Sequence, residues 1–122
     1  MSSMSDPYQF LEKDLKLTRQ VLENLDKNTH LSILTKSDLI LRDLDLLKQF
    51  KNLEVGFTIN NFEGKTKTLM EPFAPDYQAR LEALKQIHKE GIKTYVFVSP
   101  IIPGLIDLKK VIDLTKKYAD HY

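Results

Sequence analysis

No cysteine occurs anywhere in these 122 residues. A chain without thiols makes no disulfide, no thiolate zinc site, no cysteine nucleophile and no iron–sulfur cluster of its own. Glycine is scarce, four in all, and never falls as GxGxxG or GxxxxGK, so there is no glycine-rich phosphate loop. The three histidines, His30, His88 and His121, are scattered. None has a second histidine or a carboxylate pair at ligand spacing, so no metal site is expected. An excess of one charge is lacking too: 18 Lys and Arg stand against 17 Asp and Glu, for a net +1. No global basic field therefore draws the chain onto nucleic acid, and the aromatics are not interleaved with Arg and Lys as in a base-stacking sheet; a nucleic-acid partner stays open. The longest apolar runs, such as Tyr95–Val98 and Ile101–Ile102, are far too short to span a bilayer. No basic region followed by an apolar one marks a secretory signal. The expectation is no membrane partner and a cytoplasmic location.

What is present suits one domain over residues 1–122, with 42% apolar residues for a core and 29% charged for a solvated surface. Leu11, Leu15, Thr18, Val21, Leu22 and Leu25 recur at three- and four-residue steps, which predicts one amphipathic helix from Phe10 to about Asp26. His30 to Thr35 reads as a buried strand. Ser37 and Asp38 offer N-cap oxygens to a second helix, which ends near Lys51-Asn52. Val55 to Asn60 is the next strand. Thr66 to Met70 suits a short helix stopped by Glu71-Pro72. Ala74-Pro75-Asp76 starts a longer helix, with Pro75 in its first turn; Leu81, Leu84, Ile87 and His88 share one face, and Gly91 closes it. Thr94 to Val98 is the third clear strand, and a last helix from Leu105 runs into Lys116–Tyr122. Residues 1–4 suit the end of a fourth strand. Helices alternating with continuously apolar strands predict an α/β fold of parallel βα units. A sheet this small cannot close and leaves two edges, which predicts association with further structure or a second chain.

Ligands of parallel α/β sheets bind beyond the carboxyl ends of the strands. That rule gathers Asp6 and Tyr8, Lys36, Thr58 and Asn60, and Ser99 on one rim. Lys36 is a cation at a strand end, suited to a carboxylate or phosphate, or else a solvated lysine near a helix start. Thr58 either faces the rim or is satisfied within the sheet. Glu71 is either a solvent-facing carboxylate or a partner of Arg80, and Arg80 either pairs with it or faces solvent; spacing alone decides neither. No acid–base pair or nucleophile stands out, so no catalytic residue is assigned.

Five stretches in order resemble one family. Ser5-Asp6-Pro7-Tyr8-Gln9 with Glu12 and Leu17-Thr18-Arg19 is similar to its "TDPYQ…E…LTR" segment. Thr35-Lys36-Ser37 is followed by Arg42-Asp43. Val55-Gly56-Phe57-Thr58-Ile59-Asn60 is similar to "VGFSIN", Glu71-Pro72 with Ala74-Pro75 and Arg80-Leu81 to "EP.AP…RL", and Ser99-Pro100-Ile101-Ile102-Pro103-Gly104 to "SPIIPG". The family is that of radical S-adenosylmethionine (SAM) proteins described as DNA repair photolyases, relatives of spore photoproduct lyase. The resemblance runs from about Ser2 to Asp107.

It implies a partial (β/α) barrel of TIM type, and a CxxxCxxC loop after the first strand that holds a four-iron, four-sulfur cluster. That cluster binds SAM and cleaves it to a 5′-deoxyadenosyl radical; in spore photoproduct lyase the radical repairs a thymine dimer. By position, Lys36 and Thr58 would lie near the SAM carboxylate, with Asn60, Asp6, Tyr8 and Ser99 lining the same cavity. The cysteine loop belongs upstream of Asp6-Pro7-Tyr8, so the expectation is a stretch of barrel that runs no radical chemistry alone and needs a cysteine-bearing partner. Two other readings stand beside it: a non-enzymatic module that self-associates as a homo-oligomer through its open sheet edges, and an unrelated enzyme reusing the rim.

Overall fold

The computed structural model describes residues 5–122, so the strand expected over residues 1–4 lies outside the described residues. Its elements run α1 (Glu12–Leu15), α2 (Leu17–Asn24), β1 (His30–Thr35), a 3₁₀ helix (Asp38–Asp43), α3 (Leu44–Leu47), β2 (Asn52–Thr58), α4 (Gly64–Met70), α5 (Tyr77–Lys89), β3 (Lys93–Phe97) and α6 (Leu108–Thr115). The strands form one parallel sheet in the order β1-β2-β3, which is the predicted α/β class. No helix among the described residues is long and apolar enough to cross a membrane.

Alternation along the strands sets the core. Leu31, Ile33, Val55, Phe57 and Val96 are buried, and they cluster with Ile40, Leu47, Leu84 and Ile87 from the helical segments. The opposite face carries Ser32, Leu34, Glu54, Tyr95 and Phe97, half-buried or exposed. There the Tyr95 ring lies flat on Gly56, where any Cβ would run into it. His121 stacks on the same ring at 5.0 Å. Gly56→Ala is therefore expected to destabilise the fold by about 1–3 kcal/mol, the usual penalty of overpacking. The penalty should fall away in a Tyr95→Ala background. Denaturation of both pairs checks this, and equal penalties in the two backgrounds would refute the contact.

Several boundaries differ from expectation, and at two of them a polar contact overrides the apolar period. The first helix breaks at Lys16, which takes φ 53° in the left-handed region. Glu12 Oε1 accepts the Thr18 amide at 2.9 Å, and the Thr18 hydroxyl donates to the Pro7 carbonyl, so the chain re-enters helix directly at Leu17. Ser37 does cap, its Oγ accepting from the Leu39 amide at 3.2 Å. The segment after it winds as 3₁₀ and then a single α turn, ending at Leu47. β2 is shifted towards Asn52, which leaves Asn60 beyond the strand end. Pro75 lies ahead of α5 rather than in its first turn, because its carbonyl is taken by Arg80. Gly91 closes α5 as expected, with φ 79°.

The last helix stops at Thr115 and does not run on to Tyr122. Buried Thr94 draws the tail back instead, donating its amide to Asp120 Oδ2 at 2.7 Å and its hydroxyl to the Tyr118 carbonyl at 2.6 Å. The Val96 amide then donates to the His121 carbonyl at 3.1 Å. The outer edge of β3 is thus partly paired by the chain itself.

Candidate functional site

The carboxyl ends of β1, β2 and β3 meet around one buried carboxylate, that of Glu71. Its Oε1 accepts from Lys36 Nζ at 2.8 Å and from Asn60 Nδ2 at 2.9 Å, and its Oε2 takes the Arg80 guanidinium. Arg80 is 1% exposed. It also donates Nη1 to the Thr58 carbonyl at 3.0 Å, and Nε and Nη2 to the Pro75 carbonyl at 3.0 and 2.8 Å. Burial by itself would raise the Glu71 pKa, but the hydrogen bonds from Arg80 and Lys36, the Arg80 charge and the Asn60 amide outweigh it and hold the carboxyl below the ordinary glutamate range. Of the roles left open for Glu71 and Arg80, the structure selects the buried pair.

The rim residues divide about this carboxylate. On one side, Asp6 accepts the Thr35 hydroxyl at 2.6 Å and the Lys36 amide at 2.7 Å. It ties the N-terminal segment to the end of β1. On the other side, Asn60 reaches the Ser99 carbonyl at 3.4 Å, and Thr58 ends β2 with its carbonyl on Arg80. A cleft of about 440 Å³ opens on the Asp6 side, between Tyr8, Phe10, Lys36, Asp38 and Phe73. It brings together Asp6, Tyr8 and Lys36, while Thr58, Asn60 and Ser99 do not line it. Lys36 has 39% of its side chain exposed, so its ammonium can meet a ligand without leaving the rim. Another hollow of about 510 Å³, bordered by His30, Lys48 and Lys93, lies at the amino ends of the strands, the end that parallel sheets do not use for ligands. Among the described residues no cluster of His, Asp and Glu could hold a metal ion.

Tyr8 borders the cleft, but its hydroxyl turns away and donates to Asp43 Oδ2 at 3.1 Å. Burial first, and then the neighbouring Asp43 charge, push its phenol pKa up. This contact belongs to a second buried network. Asp43 is fully buried and also accepts from Arg42 Nε and Nη2, both at 2.9 Å, and from Arg19 Nη1 at 3.0 Å. Arg42 continues to Glu12 Oε2 at 3.2 Å. Sequence reasoning named Glu12, Arg19, Arg42 and Asp43 within motifs and gave them no role. Their signal was the presence of charges in otherwise apolar stretches.

The model of the Radical SAM superfamily matches residues 3–115.

The chain belongs to the radical SAM superfamily.

Its three parallel βα units are consistent with part of that superfamily's (β/α) fold. An uncharacterized protein of Methanocaldococcus jannaschii is 57% identical over 122 residues, covering all of this chain and 47% of that protein. An uncharacterized protein of Acidianus two-tailed virus is 38% identical over 105 residues, 84% of this chain and 34% of that one. An uncharacterized protein of Mycobacterium tuberculosis is 30% identical over 117 residues, 93% of this chain and 34% of that one. The chain thus spans between a third and a half of the length of these relatives. No solved structure matches it significantly. Members typically use SAM with a four-iron, four-sulfur cluster. The 122 residues hold no cysteine, so they do not fit the cluster.

Proposed function

We propose that this radical SAM chain supplies the SAM-facing rim of an enzyme of the spore photoproduct lyase type, with the cluster held by cysteines outside these residues, on a further segment or a partner chain. One observation carries the reading: Lys36, at the end of β1, borders a cleft at the carboxyl ends of the strands with 39% of its side chain exposed. A cation so placed suits the carboxylate of the SAM methionyl group. The ordered motifs around Asp6, Lys36, Thr58, Glu71 and Ser99 support the subfamily. SAM, when bound, supplies the radical chemistry of the superfamily. The residues present do the holding. Lys36 binds the carboxylate, and Asp6 and Glu71 fix the backbone and the ammonium of Lys36. Asn60 links the ends of β2 and β3 through the Ser99 carbonyl.

Titration of the protein with SAM, followed by amide NMR, tests this. Shifts are expected at Lys36, Ser37 and Asn60. Lys36→Ala should weaken binding about tenfold or more, since a hydrogen bond to a charged group contributes about 1.5–3 kcal/mol. A spectrum unmoved at millimolar SAM would rule out that these residues hold SAM without the cluster.

A further inference from the structure

We propose that Glu71 sets the anion class of the Lys36 cleft, so that it admits a singly charged group and turns away a dianionic phosphate. This rests on the reading of the cleft as the SAM carboxylate site. The charge balance carries it. Lys36 and Arg80 share the one carboxylate of Glu71, which leaves a single uncompensated positive charge. Arg80 is sealed, with 1% of its side chain exposed, so Lys36 is the member that faces the cleft. A ligand carboxylate on Lys36 brings the group to two cations and two anions. A dianion overshoots by one. It also meets Asp6 and Asp38 in the same cleft, against which Lys13 is the further cation. Like charges placed together where water is partly excluded repel strongly.

Glu71 does not touch the ligand in this scheme. It acts through Lys36, and Asn60 at 2.9 Å and Arg80 keep it in place when Lys36 turns to a ligand. It is a positioning residue that decides specificity.

The probes are adenosine 5′-monophosphate and its methyl ester, which differ by one negative charge, each competing against SAM in the amide NMR titration. In the wild type the methyl ester should compete about tenfold better than the dianion, a factor that corresponds to 1.4 kcal/mol. Glu71→Gln should improve the dianion about tenfold and the ester less than about threefold, closing the gap. Equal gains for the two, or none, would overturn the proposal and leave SAM binding standing. Failure of SAM itself to bind the wild type would instead remove the reading underneath. Glu71→Gln strips a buried arginine of its counter-charge, so the wild-type comparison serves alone if that variant does not fold, and equal competition by the two probes there overturns the proposal.

Discussion

Replacing Arg80 with alanine is expected to lower the stability of the fold by about 3–5 kcal/mol, the range seen when one partner of a buried ion pair is removed. A single domain has only about 5–15 kcal/mol in hand, so the variant should unfold at a midpoint roughly 10 °C or more below the wild type. The guanidinium fork holds four acceptor contacts at once: two on the Pro75 carbonyl, one on Thr58 and one on Glu71. Alanine leaves a buried carboxylate short of its main cation and two carbonyls without donors. Lysine is expected to rescue little, because a point-like ammonium cannot reach acceptors on the end of β2 and at both ends of the 71–75 turn together. Thermal and urea unfolding measure the loss. A change below about 1 kcal/mol, the size of a surface pair, would show that the pair is not buried in solution.

Asp43→Asn should be nearly as damaging at neutral pH, at about 3 kcal/mol or more, because Arg42 and Arg19 lose their shared anion. The loss should also depend on pH. Burial alone would raise the Asp43 pKa, but the hydrogen bonds from Arg42 and Arg19, with the Arg42 charge, more than reverse it and hold the carboxyl below the ordinary aspartate range. A depressed folded-state pKa gives stability that is present above the unfolded value, about pH 3.9, and is lost as pH falls through the folded value. The wild type should therefore lead the asparagine variant by its full margin from about pH 5 to 7, and the margin should shrink as the solution is taken below about pH 4. Unfolding free energies of both proteins across that range check the sign. A margin that stays constant down to pH 2 would mean the carboxylate charge contributes nothing.

The two variants probe the residues that carry the family motifs. Glu12, Arg19, Arg42 and Asp43 anchor the N-terminal segment to the region after β1. Glu71 and Arg80 close the turn after α4 onto the end of β2. The motif charges thus serve first to place Lys36 and the cleft beside it, and only Lys36 among them is open enough to meet a ligand on the Asp6 side.

The strands were legible in the chain because their signal is local. Leu31, Ile33, Val55, Phe57 and Val96 are apolar side chains that a pleated strand buries on one face wherever it runs, and the helical stretches between them require parallel crossovers. Ser37 and Gly91 were legible for the same reason: a cap oxygen and a left-handed glycine act on their own neighbours. The absence of cysteine settled from composition alone that these residues hold no iron–sulfur cluster. The break at Lys16, the return of the tail onto Thr94 and the burial of Glu71 were decided only by tertiary structure. Glu12 meets Arg42 across 30 residues, Thr94 meets Asp120 across 26, and Lys36, Asn60 and Arg80 reach Glu71 from three separate segments. A local pattern either scores such polar side chains as surface or leaves their partners open. Folding brings their partners within hydrogen-bond reach, and a buried charge is stable only once those partners arrive.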